Sequence, residues 1–156
     1  MEKLEFGTIY LKDDVIISDP CYDFAGRLNT FLGGVKEGVY NCFVNVLDYG
    51  DWGKRVKEMI ILHKDYDMPE IYEWEFSDTV MVDSGTMSIG DYEYFKVTRN
   101  NDEWYDKAVC SWDSKAYNSD GKMFISSSGV GDGEYDVEYA DNGKNIYAIR
   151  VIFLAD

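Results

Sequence analysis

The dominant pattern along the chain is an alternation of apolar and polar residues with a period of two. Such alternation is typical of β-strands that bury one face. The strand-like segments are rich in β-branched and aromatic residues and are separated by turns rich in Gly, Asp and Asn. We predict strands at 3–10, 15–18, 38–47, 54–64, 79–82, 86–89, 122–127, 134–139 and 146–154.

The turns between these segments predict how neighbouring strands pair. Segments 38–47 and 54–64 flank a Gly-containing loop and indicate a hairpin. Asp141-Asn142-Gly143 indicates another, because its residues tolerate positive φ. We also expect an opening pair of strands around Lys12-Asp13-Asp14, and two short strands across Asp83-Ser84-Gly85.

One segment, 101–110, has the periodicity of a helix. Trp104 and Ala108 fall on one face, and Asp102 and Glu103 stand in the first turn, where negative charge stabilises the helix dipole. Many short strands with regular turns predict a mainly β fold. We expect a single-domain antiparallel β-sandwich or barrel-like sheet with one short helix, covering residues 1–156.

Charge and apolar content narrow the classes of partner and location. The 15 basic and 30 acidic residues give a net charge of −15, which repels nucleic acid and anionic membrane surfaces. The longest aliphatic run, Met59-Ile60-Ile61-Leu62, is far shorter than the roughly 20 residues of a membrane-spanning helix. The first residues contain no apolar signal region. We therefore expect a cytoplasmic protein that contacts neither membrane nor nucleic acid directly.

The three cysteines give no evidence of a disulfide framework. Cys21, Cys42 and Cys110 are odd in number, lie far apart and form no C-x-x-C pair. Reduced thiols in a cytosolic protein fit this spacing best, and a cysteine zinc site is not expected. We predict that Cys42 and Cys110, which have apolar neighbours, are small core residues.

The most distinctive segment runs from Ser126 to Tyr135 and contains three glycines at alternate positions. Glycine permits tight turns and close approach of a ligand, and the backbone N–H groups of such a loop can surround an anion. We expect positive φ at Gly131 or Gly133. A strand follows the loop and no Lys is present, so neither the dinucleotide nor the P-loop fingerprint applies. A glycine-shaped hairpin or bulge is the simpler interpretation.

A candidate ligand site combines this loop with the turn at 83–85. Both carry Ser, Gly and Asp near strand ends, where loops from distant parts of a β domain meet. We expect a common pocket that also contains an aromatic ring. Its predicted ligand-binding residues are Asp83, Ser84, Gly85, Ser128, Gly129, Gly131 and Asp132.

Other candidate chemistry is weaker. Asp19, Asp83, Asp91 and Asp132 are oxygen donors for a hard cation if they converge, but Asp-capped turns are the commoner explanation. His63, the only histidine, has no G-x-S-x-G nucleophile partner and is more typical of a packing residue. We expect no catalytic residue, no metal site and no cofactor. The four tryptophans either line a cavity or, more simply, build the core: Trp52, Trp74, Trp104 and Trp112.

The order of motifs resembles a family of small bacterial and phage proteins known as a domain of unknown function. The motifs that carry the resemblance extend from Asp19-Pro20 to the strand near Val151, and the most specific are Val82-Asp83-Ser84-Gly85 and Ser127-Ser128-Gly129-x-Gly131-Asp132-Gly133-x-Tyr135. The resemblance implies no activity and no catalytic residue. Occurrence in phages favours an accessory or counter-defence function.

These observations favour a non-enzymatic protein that captures a small polar or nucleotide-like ligand. Because the net charge opposes an anion, the site needs a local cluster drawn from Arg27, Arg55, Arg99 or Arg150. An acidic protein–protein inhibitor or nucleic-acid mimic is the alternative, and a metal-dependent hydrolase is the third interpretation. A homo-oligomer is compatible with the sequence.

Overall fold

The computed structural model describes residues 1–21, 29–71, 73–98 and 101–154, and these form two antiparallel sheets. The larger sheet has six strands in the order β1-β4-β5-β11-β10-β6. Its strands span Glu2–Leu11 (β1), Gly38–Asp48 (β4), Lys54–His63 (β5), Glu75–Val82 (β6), Gly133–Asp141 (β10) and Ile146–Ile152 (β11).

The smaller sheet has five strands in the order β3-β2-β7-β9-β8. Two helices lie between β7 and β8: α1 (Tyr92–Thr98), and α2 (Asp102–Tyr105), which continues as a π-helical turn over Asp106–Cys110. The strands of this sheet span Val15–Ser18 (β2), Thr30–Leu32 (β3), Thr86–Asp91 (β7), Ala116–Ser119 (β8) and Met123–Ser127 (β9). The sheets form a β-sandwich and do not close into a barrel, which confirms the mainly β prediction.

The main core lies between the sheets and follows the alternation along each strand. In β4, Tyr40, Cys42 and Val44 point into this core, whereas Phe43 between them belongs to a cluster on the other side of the sheet. From the smaller sheet, Met87, Ile89 and Phe124 complete the same core. Because successive strand residues face opposite ways, the period of two in the sequence translates directly into this layer.

The outer faces of both sheets are also apolar and are covered by connecting segments. Trp74 and Tyr66, from the segment after β5, pack on the six-stranded sheet, where the Tyr66 ring stacks at 3.9 Å on Tyr147. The helical segment covers the five-stranded sheet with Trp104 and Trp112. Three tryptophans therefore serve as packing residues, as the simpler interpretation predicted; Trp52 is 68% exposed.

The predicted strands form, but some predicted pairs do not. The β4–β5 and β10–β11 hairpins and the helix after residue 101 are confirmed. The opening pair was wrong, since β1 pairs with β4 whereas β2 pairs with β3 and β7. Similarly, β6 and β7 belong to different sheets. Alternation identifies a strand, but it does not identify the sheet that the strand joins.

Two strands, β3 and β8, the helix α1, and the 3₁₀ turns Gly50–Trp52 and Met68–Glu70 were not predicted. The α1 helix is rich in aromatic and β-branched residues, which favour strands. It forms because the Asp91 carboxylate accepts the Tyr94 N–H at 3.1 Å at its first turn, and because Phe95 is buried against the sheet. The β8–β9 turn was visible as Asp120-Gly121, where both residues have positive φ. Among the described residues, no helix has the length and apolar character needed to cross a bilayer.

We expect Phe124→Ala to lower the free energy of unfolding by about 3–5 kcal/mol, because it leaves a cavity between the sheets. Phe124 is fully buried, and its ring centre lies 5.9 Å from that of Phe6. The matched control is Phe76→Ala, since Phe76 is 59% exposed. Urea denaturation should show a change within about 0.5 kcal/mol for the control. Equal losses for the two variants would contradict the assignment of the core.

Candidate functional site

The carboxylate of Asp19 organises one end of the sandwich. Asp19 is fully buried just after β2. Its Oδ2 accepts the N–H groups of Asp83 at 2.7 Å and Ser84 at 2.8 Å, and its Oδ1 accepts the Cys21 N–H at 2.9 Å and the Ser84 hydroxyl at 2.8 Å. These hydrogen bonds hold the turn between β6 and β7 against the end of β2.

The predicted turn-capping function of these aspartates is confirmed at Asp19 and Asp91. Both carboxylate oxygens of Asp19 already accept two hydrogen bonds each, and Asp91 caps α1. Among the described residues, no three His, Cys, Asp or Glu side chains are grouped as a metal site requires. The oxygens of Asp19 are committed to the backbone and not to an open coordination sphere.

The two predicted site turns are neighbours. The Ser128 N–H donates to the Gly85 carbonyl at 3.1 Å, so the turns are directly hydrogen-bonded. The β10–β6 register pairs Gly133 with Val82, which places Asp132 and Asp83 at the same end of the sandwich. The prediction that distant loops meet here is therefore correct as a statement of geometry.

The glycine loop forms a tight turn over Ser128 to Gly131. The Gly131 N–H donates to the Ser128 carbonyl at 3.3 Å, and Gly129 has φ +72° at the first central position, as in a type II′ turn. Gly131 has φ +121°, which confirms the prediction of positive φ at one of two glycines; Gly133 does not have it. The Ser128 and Tyr135 hydroxyls both donate to the Gly131 carbonyl at 2.7 Å and fix the loop.

A cleft of about 260 Å³ opens where these turns meet the start of β5 and the segment before β8. We call it the SG cleft. Three of its ten lining residues are cationic and none is acidic, although the chain carries 30 acidic residues. The lining residues are Lys54, Arg55, Gly85, Ser114, Lys115, Ser127, Ser128, Gly129, Val130 and Gly131.

Two cations of the SG cleft, Arg55 and Lys115, are held in place by hydrogen bonds to backbone carbonyls. Arg55 donates from Nε to the Trp52 carbonyl at 2.8 Å, and Lys115 donates from Nζ to the Lys54 carbonyl at 2.9 Å. Within the described part of the chain, the two terminal nitrogens of Arg55 have no hydrogen-bond or ion-pair partner. Lys54 forms an exposed ion pair with Glu2, at 3.6 Å. Donors held in place but not consumed are suited to an anion.

The predicted ligand-binding residues divide into two groups. Gly85, Ser128, Gly129 and Gly131 line the SG cleft, whereas Asp83, Ser84 and Asp132 do not. Ser84 faces Asp19, and its hydroxyl is also hydrogen-bonded to that of Thr86 at 2.7 Å. Asp83 and Asp132 are exposed at the same end of the sandwich. The lining contains no aromatic ring, so the expected ring is not part of the described cleft.

Of the four candidate arginines, the structure places Arg55 at the site. Arg150 lies on the outer face of the six-stranded sheet, where it binds Glu138 and Glu58 and stacks over Trp74. Arg27 and Arg99 lie outside the described residues.

Sequence reasoning missed Lys54, Ser114, Lys115, Ser127 and Val130. In the sequence, Lys54 is recognisable only as the first residue of a predicted strand, directly after Gly53, and nothing there indicates a binding function. Lys115 follows Lys54 by 61 residues and meets it only through the packing of the two sheets. No local sequence pattern predicts that Lys54 and Lys115 are neighbours, because the strands beside them belong to different sheets.

Two further residues near Asp19, Cys21 and Tyr105, have raised pKa values. Burial, and then a hydrogen bond with Asp19, raise the pKa of Cys21 to about 12. Burial, and then the nearby Cys21, raise the pKa of Tyr105 to about 12. A raised pKa favours the protonated form of both groups at neutral pH, whereas a reactive cysteine needs a lowered pKa. His63 lies elsewhere and is buried; its Nδ1 accepts the Asp65 N–H at 3.1 Å, which confirms a packing function.

We expect Asp19→Asn to lower the free energy of unfolding by about 2–4 kcal/mol. The amide keeps one acceptor but replaces the other with a donor, so buried N–H groups lose their partner at about 1–3 kcal/mol each. Asp132→Asn, an exposed control with the same charge change, should stay within about 0.5 kcal/mol. Urea denaturation at neutral pH measures both; an Asp19→Asn variant as stable as the control would refute the anchoring function.

Comparison with known proteins gives no match: no protein-family profile, no curated protein and no solved structure is significantly similar to this chain. The resemblance suggested by the Ser-Gly-Asp motifs therefore stays a prediction. Function has to be argued from the geometry of the SG cleft, since site geometry and chemistry carry more information on function than fold class does.

Proposed function

We propose that this protein is a non-enzymatic binding protein that captures a small, phosphate-bearing, nucleotide-like ligand in the SG cleft. The observation that carries the proposal is the charge of the cleft. Lys54, Arg55 and Lys115 line it without any acidic residue, in a protein whose net charge is −15. The cleft is positively charged in a protein that is negatively charged as a whole, and this local positive charge favours an anionic ligand.

The donors available in the cleft match a phosphate group. The planar guanidinium of Arg55 offers its two terminal nitrogens to a pair of phosphate oxygens. Lys115 adds a point charge that is held beside the same turns by its hydrogen bond to the Lys54 carbonyl. The Ser127 hydroxyl lies in the lining and supplies a further polar contact. Charge-assisted hydrogen bonds of this kind are about twice as strong as neutral ones.

The size of the cleft limits which part of a ligand it encloses. Its volume of about 260 Å³ is slightly below the range of roughly 300–1,000 Å³ that is typical of small-molecule sites. We therefore assign the phosphate end of the ligand to the cleft and the remainder to the adjoining surface. In a phage, stoichiometric capture of this kind would withdraw a nucleotide signal from a host defence, which fits the resemblance to phage proteins.

We expect Arg55→Ala and Lys115→Ala each to weaken binding of pyrophosphate by at least tenfold. Each variant removes one charge-assisted contact, and such a contact contributes about 1.5–3 kcal/mol. The measurement is calorimetric titration of the full chain with pyrophosphate at low salt. Lys144→Ala is the matched control, because Lys144 is exposed in the β10–β11 turn at the opposite end of the sandwich.

The result for Lys144→Ala separates a local site from the field of the whole protein. A long-range effect would weaken binding equally in all three variants, because each removes one positive charge. Absence of pyrophosphate and nucleotide binding by the unmodified protein would refute the proposal and leave the acidic-surface inhibitor as the better hypothesis.

A further inference from the structure

The indole of Trp52 is held in solvent by a rigid turn. Trp52 is 68% exposed, the largest exposed fraction of any aromatic side chain in the described residues. The turn is closed by hydrogen bonds from the Tyr49 N–H to the Gly53 carbonyl and from the Gly53 N–H to the Gly50 carbonyl, both 2.9 Å. The Gly50 N–H is capped by the Asp48 carboxylate at 2.9 Å. The exposure of the ring is thus built into an ordered turn.

This turn is physically joined to the SG cleft. The Trp52 carbonyl accepts the Arg55 Nε–H at 2.8 Å, so the same turn that presents the indole also fixes the guanidinium. Lys54, which lines the cleft, is two residues after Trp52, a separation of at most about 7 Å along the backbone. The residue that carries the exposed indole is therefore hydrogen-bonded directly to the proposed phosphate-binding arginine, at the end of one hairpin.

We infer that Trp52 is a stacking platform for the ligand of the SG cleft, and that this ligand is a nucleotide with an aromatic base. The inference rests on the proposed function, because the phosphate has to be held in the cleft for the base to reach the indole. A nucleotide has a phosphate and an aromatic base separated by a sugar, which is the arrangement that Arg55 and Trp52 offer. Inorganic phosphates and sugar phosphates have no base and gain nothing from the indole.

Stacking on an exposed indole also defines the selectivity to expect. Every base has a π-face, so stacking is tolerant of base identity. The lining of the cleft contains no aromatic ring that could enclose the base from its other side. We therefore expect adenine and guanine nucleotides to bind with similar affinity, and both to bind more tightly than a sugar phosphate of equal charge.

The test compares AMP with pyrophosphate on three proteins: the unmodified chain, Trp52→Ala and Phe76→Ala. Phe76 is a matched control, since it is 59% exposed and lies at the start of β6, at the end of the strand that is remote from the SG cleft. We expect Trp52→Ala to lose on the order of 10- to 100-fold in AMP affinity. Its pyrophosphate affinity should stay within about twofold, and Phe76→Ala should bind both ligands normally.

The outcomes separate this inference from the proposed function. If Trp52→Ala binds AMP as the unmodified chain does, while pyrophosphate still depends on Arg55, the stacking platform is refuted and the anion site stands. If Trp52→Ala loses AMP and pyrophosphate equally, the Trp52 side chain supports the turn that positions Arg55 and does not stack on a base, which also overturns the inference. If the unmodified chain binds neither ligand, both proposals fail.

Discussion

A buried carboxylate, that of Asp19, determines the geometry of the candidate site. Asp19 is fully buried, and its charge is stabilised by three backbone N–H groups and one hydroxyl, all within 2.9 Å. A buried charge is tolerated only when its hydrogen bonds are satisfied. The turn between β6 and β7 is therefore fixed in position, because moving it would leave the buried Asp19 carboxylate without hydrogen-bond donors. The Gly85 carbonyl of this turn accepts the Ser128 N–H. Asp19 therefore positions the glycine loop indirectly, through the turn between β6 and β7.

The proposed anion site is local, and its charge is opposite to that of the whole chain. Fixed charges that are exposed and more than about 8 Å apart are largely screened at physiological ionic strength. In the proposed function, contact with Arg55 and Lys115 would therefore decide binding, whereas the net charge of −15 would mainly slow the approach of an anion. None of the residues that line the SG cleft is acidic, which makes the proposal of an anionic ligand compatible with an acidic protein.

Local patterns in the sequence predicted more of the fold than of the site. The Asp-Asn-Gly hairpin and the positive φ of Gly131 follow from residues within a few positions of one another, and both are found in the structure. The α1 helix was missed because its aromatic residues favour strands, whereas an Asp91 cap and tertiary burial decide its conformation. Lys115 was missed because its position beside Lys54 depends on how the two sheets face each other. No spacing rule encodes that relation.

The distribution of the strands between the sheets has a consequence for synthesis of the chain. Among the described strands, the chain crosses between the sheets four times, so neither sheet is contiguous in sequence. The central strand β5 pairs on one side with β11, whose residues are translated more than 80 positions later. During translation β5 therefore presents an unpaired apolar edge until β11 emerges. Such an edge is prone to association, and its closure needs long-range contacts that form slowly. Whatever hairpins form earlier, the larger sheet is therefore complete only after β11 has been synthesised and has paired with β5.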